Sequence, residues 1–131
     1  MINTKILRKS KIEFLNKDNK ILKSSFFEQI ISSGNINIDE KWFLRGCKQV
    51  AERHYTEAIK RFQLSNSDDA KLMILACTFK IADKFLFNEY YTENFNNLIY
   101  FPKYEFKPYL VIENQKYEIT PYLIKELKQL F

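Results

Sequence analysis

From Trp42 to Phe62 the chain reads WFLRGCKQVAERHYTEAIKRF, and here small, aromatic and charged residues fall at spacings that constrain one another. Across Asp39–Arg53, the residues Trp42, Phe43, Gly46, Cys47, Val50 and Ala51 recur at the three- and four-residue steps of one helix face. Gly46 is the informative member. Inside a helix it costs about 1 kcal/mol relative to Ala, a cost best explained by a second element that must come close. That element is a helix over Tyr55–Leu64, with Tyr55, Ala58, Ile59 and Phe62 on one side and Glu57, Lys60 and Arg61 on the other. Ala58 offers the second small contact point. Arg53 and His54 fall at the reversal, and Asp39 is placed to cap the first helix by accepting from its unpaired N–H groups.

In order and spacing, Trp42, Gly46, Tyr55, Ala58 and Phe62 resemble a tetratricopeptide repeat (TPR), whose pattern runs Trp, Gly four residues on, then after a turn Tyr and Ala-x-x-x-Phe. Tyr55–Phe62 is the closest part. The chain departs from the pattern with Arg45 for Leu, Gln49 for a first-helix Tyr, and no Pro near Ala70. An unrelated helical hairpin is the competing reading. Repeats bury their apolar faces on neighbours, so a second unit is expected. An offset of 30 residues sets Lys41–Cys47 against Lys71–Cys77 and Tyr55 against Phe85, but then Ala58 meets Asn88 and Phe62 meets Thr92. The second unit is a degenerate copy or only a helix with similar packing needs. An independent array needs roughly three repeats. This one must be capped by other structure or completed by another molecule, which leaves self-association open.

A length of 131 residues with 46% hydrophobic content fits one domain with a modest core. Within it, 1–38 reads as a basic segment and helix, 39–101 as the TPR-like helical core, and 102–131 as a β-hairpin plus terminal helix. Cys47 and Cys77 sit inside expected helices as packing residues, and two cysteines without an export signal argue against a disulfide framework. No apolar run is long enough for a membrane span and the amino terminus lacks a signal-peptide block, so a cytoplasmic protein is expected. The formal charge of +5 is carried entirely by residues 1–25, which hold seven cationic and two acidic side chains.

Thr4–Leu15 fits a strand through Ile12 and Phe14 or a helix through Leu7, Lys11 and Phe14. Asn16–Asn19 is a turn. A hairpin of Lys11–Leu15 with Lys20–Ser24 competes with a helix over Lys20–Ser33 ended by Gly34, and the helix is favoured. Ser67 or Asp68 caps a helix running to about Lys84, apolar around its circumference and therefore the most buried element. Phe85–Tyr100 continues as one or two helical pieces until Pro102. Tyr109–Glu113 and Lys116–Ile119 then form a hairpin around Asn114-Gln115, which must pack on the helices or pair with amino-terminal residues. Thr120-Pro121 opens the last helix.

No catalytic constellation emerges, and no cofactor or metal site is expected. His54 is the only histidine and has no ligand partners at metal spacing, while Gly34 and Gly46 cannot form a phosphate-cradling loop. Asp68-Asp69 and Asp39-Glu40 fall at helix starts, where the helix dipole accounts for them. The aromatic series Tyr90, Tyr91, Phe95, Tyr100, Phe101, Tyr104, Phe106 and Tyr109 reads mostly as core. What the TPR resemblance implies is a non-enzymatic binding protein, an adaptor, chaperone or assembly factor. A segment of a partner protein would lie in a groove lined by Phe43, Arg45, Lys48, Gln49 and Glu52. The carboxylate grip of some family members does not carry over, because Phe43 and Cys47 stand where polar groups would be needed. The rival reading is a small nucleic-acid-binding accessory protein that uses Lys5, Arg8, Lys9 and Lys11 against phosphates.

Overall fold

The computed structural model describes residues 3–100 and 103–131; Phe101 and Pro102, and with them the expected stop at Pro102, lie outside them. Seven α-helices and a three-stranded antiparallel sheet make the described residues mainly α, with a hairpin and a terminal helix at the carboxyl end.

The first fifteen residues divide between the two readings: a helix forms only over Thr4–Lys9, and Lys11 and Phe14, expected on its face with Leu7, belong to a strand with Ile12. Helix α1 (Thr4–Lys9) is capped by the Asn3 side chain, stops at Ser10, and is followed directly by strand β1 (Lys11–Leu15). β1 pairs with β2 (Lys107–Ile112), which pairs with β3 (Gln115–Glu118), so the two ends of the chain share one sheet. The alternative hairpin within the amino-terminal segment survives only as a bridge between Leu15 and Ile21. Helix α2 (Ser24–Ser32) starts four residues later than its apolar spacing suggested, because the Asn16 side chain accepts from the amides of Asp18 and Lys20 and holds that stretch as a turn. In the carboxyl-terminal hairpin the turn is Glu113-Asn114, one residue earlier than expected. Both residues have positive φ (49° and 69°), as a two-residue type I′ turn requires, and this sets Ile112 opposite Gln115.

Helices α2, α3 (Ile38–Ala51), α4 (Tyr55–Phe62), α5 (Asp68–Lys80) and α6 (Lys84–Asn94) each pack on the next in sequence. Asn37, not Asp39, caps α3: its Oδ1 accepts the Glu40 amide at 2.9 Å, while Ile38 is already helical. Asp39 instead fastens the α4–α5 connection, accepting the Asn66 amide on its carboxylate (3.0 Å) and the Ser65 hydroxyl on its carbonyl (2.8 Å). The close approach read from Gly46 is present, but its nearest neighbour is the ring of Phe62 rather than Ala58. A Cβ built on Gly46 would lie 2.8 Å from Cγ of that ring and closer still to Cδ1 and Cε1.

The α3–α4 and α5–α6 reversals are the same motif. Each ends its first helix with a Schellman arrangement: Arg53 (φ 66°) donates to Val50 and His54 to Gln49, and Ala82 (φ 59°) donates to Phe79 and Asp83 to Thr78. The turns match at an offset of 29 residues (53 to 82), whereas the helix caps match at 30 (37 to 67), because α3 has 14 residues and α5 has 13. Beyond the turn, Ala58 therefore corresponds to Phe87, and both are fully buried.

From Leu72 to Lys80 every residue of α5 is buried, making it the central element. On one side of the core, Phe14, Phe26, Phe27 and Phe106 form an edge-to-face cluster with ring centroids 5.1–5.8 Å apart. On another, Phe131 packs on Phe79 and Phe87 at the end of α7 (Pro121–Leu130), whose cap is Thr120. Cys47 and Cys77 are buried free thiols. No helix among the described residues is long and apolar enough to cross a membrane.

Candidate functional site

Helices α2, α3 and α4 enclose an open concavity of about 530 Å³ lined by Glu28, Ile31, Trp42, Arg45, Lys48, Gln49 and Arg61. Four of these come from α3, where steps of three and four residues bring them to one side of the helix. The guanidinium of Arg45 lies over the Trp42 ring, 4.8 Å from its centroid, a geometry in which the cation faces the electron-rich π surface. Lys48 reaches across to α2 and donates to Glu28 at 3.0 Å. That hydrogen bond, together with the charge of Lys48, holds the Glu28 carboxyl below the usual carboxylate range. Arg61 pairs with Glu57 of its own helix at 3.3 Å. Arg45 pairs with no carboxylate within 4.0 Å among the described residues, and its charge acts at longer range on Glu28, adding to the lowering of that carboxyl.

Of the five residues expected to line a groove, Arg45, Lys48 and Gln49 do so. Phe43 does not. It is 6% exposed and packs between Phe62 and Tyr104, because its side chain leaves α3 toward the core. Glu52 is the carboxyl-terminal cap residue of α3 and lies 3.8 Å from His54, whose Nδ1 is 3.2 Å from the Gln49 side chain, so these residues knit the reversal together. Sequence reasoning grouped Trp42 with the apolar and small residues of one helix face and left it out of the groove that it lines. Trp42, Arg45 and Gln49 stand at i, i+3 and i+7, a spacing that could have revealed the shared face.

Lys5, Lys9 and Lys11 come together around a second concavity of about 420 Å³, with Asn3, Ile6, Val111, Glu113 and Asn114. Arg8 is not among its lining; its backbone carbonyl instead faces the ammonium of Lys80 at 3.4 Å. Lys80 is 8% exposed and donates to the Leu7 carbonyl at 2.9 Å, tying the carboxyl end of α1 to the central helix. Burial, with the nearby Arg53 guanidinium, holds its ammonium below the usual lysine range. Arg53 in turn donates to the Ile12 carbonyl and to buried Glu13, which Lys11 also approaches at 3.5 Å.

The acidic pairs have structural occupations. Asp68 accepts the Ile99 amide at 3.1 Å, and Asp69, pushed up to about 6 by burial and by the charge of Asp68, faces the Tyr100 and Tyr104 side of the core. No group of three or more His, Cys, Asp or Glu side chains among the described residues is placed to hold a metal ion.

Comparison with protein-family models, with curated proteins and with solved structures finds no match for this chain.

Proposed function

We propose that the chain is a non-enzymatic binding protein, an adaptor, chaperone or assembly factor of TPR-like architecture, whose α2–α3–α4 concavity receives an acidic segment of a partner protein. The observation that carries this reading is the Trp42–Arg45 stack, open on the concavity and without a carboxylate of its own. Trp and Arg are the side chains that most often dominate interface energy, and a guanidinium already oriented by a ring loses little freedom when a carboxylate docks. Lys48 and Arg61 add positive charge at the rim, partly offset by Glu28 and Glu57. An acidic residue flanked by an apolar one complements that arrangement. A cytoplasmic setting belongs to the same proposal.

The test is capture of a partner from native extract, its identification, and titration of the purified partner against Arg45→Glu. Reversing Arg45 is preferable to reversing Lys48, which would set a second carboxylate against Glu28 and loosen α2. Binding should weaken by at least about tenfold, as expected for loss of a hot-spot contact. Unchanged affinity for every captured partner refutes the proposed surface.

A further inference from the structure

Independently of the α3 concavity, the geometry points to a binding site for a phosphate-bearing small molecule in the cleft between α1 and the β1–β2–β3 sheet. The cleft, at about 420 Å³, falls within the usual range of small-ligand sites. Lys5 and Lys9 are four residues apart and so share a face of α1, while Lys11 begins β1 directly across the Ser10 break. In the sheet, Lys11 is opposite Val111 and Val111 is opposite Lys116, so Lys116 stands on the same sheet face, just outside the residues that line the cleft. Lys5, Lys9 and Lys116 make no ion pair among the described residues, and Lys11 shares Glu13 with Arg53.

Several ammonium groups around one cleft suit an anion with more than one charge. A phosphate ester carries about two and presents three strong acceptor oxygens, whereas a single carboxylate would leave most of these cations uncompensated. Val111 and Ile6 supply an apolar floor for the organic part of the ligand. Glu113, the one carboxylate in the lining, is positioned to accept from a hydroxyl or amino group there and disfavours a naked polyphosphate. Lys80 acts as a positioning residue. Its bond to the Leu7 carbonyl keeps α1, and hence Lys5 and Lys9, over the sheet.

The experiment is titration of the isotopically labelled full chain with inorganic phosphate, with adenosine monophosphate and with a single-stranded oligonucleotide, followed by amide chemical shifts. The site predicts saturable shifts confined to residues 3–11 and 111–116, stronger binding of the mononucleotide than of phosphate alone, and weakening by about tenfold or more in Lys5→Gln/Lys9→Gln, since each charge-assisted contact supplies that much. The same double variant should keep the wild-type melting temperature and, without ligand, the wild-type amide shift of Trp42. Absence of saturable shifts, or equal binding by wild type and double variant, overturns the proposal. An oligonucleotide that spreads shifts well beyond the cleft, with a salt dependence steeper than about three neutralised phosphates, also overturns it and makes the surface a nucleic-acid interface. None of these outcomes depends on the α3 concavity.

Discussion

Gly46→Ala separates two accounts of why α3 contains a glycine. If the position were an ordinary helix site, alanine would stabilise the protein by about 1 kcal/mol through helix propensity. The structure argues for the opposite sign. The new Cβ would fall within 3.0 Å of three carbons of the Phe62 ring, and that ring is fully buried, so it cannot swing toward solvent. Overpacking of a filled core costs typically about 1–3 kcal/mol, and a collision with a rigid ring belongs at the upper end. Setting the propensity gain against it leaves a net loss of about 1–2 kcal/mol, or several degrees in the melting temperature of a domain this size. Urea denaturation of Gly46→Ala, Phe62→Leu and the double variant measures the coupling. Leucine removes the ring that clashes, so the double variant should be more stable than the sum of the single effects by about 1 kcal/mol or more. A stabilised Gly46→Ala, or strictly additive effects, would refute the close-approach argument.

Asn37→Ala should cost about 1 kcal/mol and speed amide exchange at Glu40, whereas Asp39→Ala should instead expose the amide of Asn66. Ala82→Gly should stabilise by up to about 1 kcal/mol in thermal unfolding, because glycine takes positive φ without the Cβ penalty. Arg53→Gly at the equivalent turn position should destabilise despite the same backbone advantage, since it removes the bonds to the Ile12 carbonyl and Glu13. Asp69 binds its proton more tightly folded than unfolded, with a folded value of about 6 set by burial and then by Asp68, so its contribution to stability falls as pH rises from about 4 to about 6. Asp69→Asn should remove that component from a pH series of urea midpoints; identical slopes in the two proteins would show that the carboxylate is not desolvated as described. Lys80→Met should accelerate amide exchange over Thr4–Ser10 while leaving α3 and α5 protected, and uniform protection would mean that α1 does not depend on this tie.

The helical array was legible because its signals are local. Gly46, the Ser67 and Thr120 caps and the apolar circumference of α5 each express a preference that a short window of sequence contains. The two hairpin turns were harder to align. A glycine would have marked the positive-φ position after each helix, but the chain has Arg53 and Ala82 there. The single-residue difference in length between α3 and α5 then made a fixed 30-residue offset lose the correspondence at the turn. The spacing of Trp42 groups it with the apolar and small residues of α3; the stack with Arg45 depends on how α2 and α4 border α3, which periodicity within one helix does not contain. The β1–β2 pairing joins residues about a hundred positions apart, so the sequence offers it only as one of two alternatives for the hairpin and does not contain its register.

That long-range pairing bears on how so short an array holds together. Helices α2–α6 would by themselves leave apolar flanks open, and the chain closes them from within. The core side of the sheet brings Ile12, Phe14 and Leu110 into the interior, while α7 lays Ile124, Leu127 and Phe131 toward the α5–α6 side. Several aromatic residues after α5 are used in the same way, while Phe85, Tyr117 and Tyr122 stay exposed. Tyr91 stacks on Phe95 at 4.4 Å, Tyr104 stacks on Phe106 at 4.9 Å, and Tyr104 also stacks on Phe43 at 5.8 Å. Rings committed to one another cannot also serve as anchors for a partner, and their burial is the larger stabilising contribution. What remains exposed among the described residues includes apolar side chains such as Phe85, Ile99 and Tyr122 as well as the two cation-lined concavities. Under the two proposals made above, specificity would rest on anionic groups, a carboxylate beside Trp42 and Arg45 and a phosphate beneath α1.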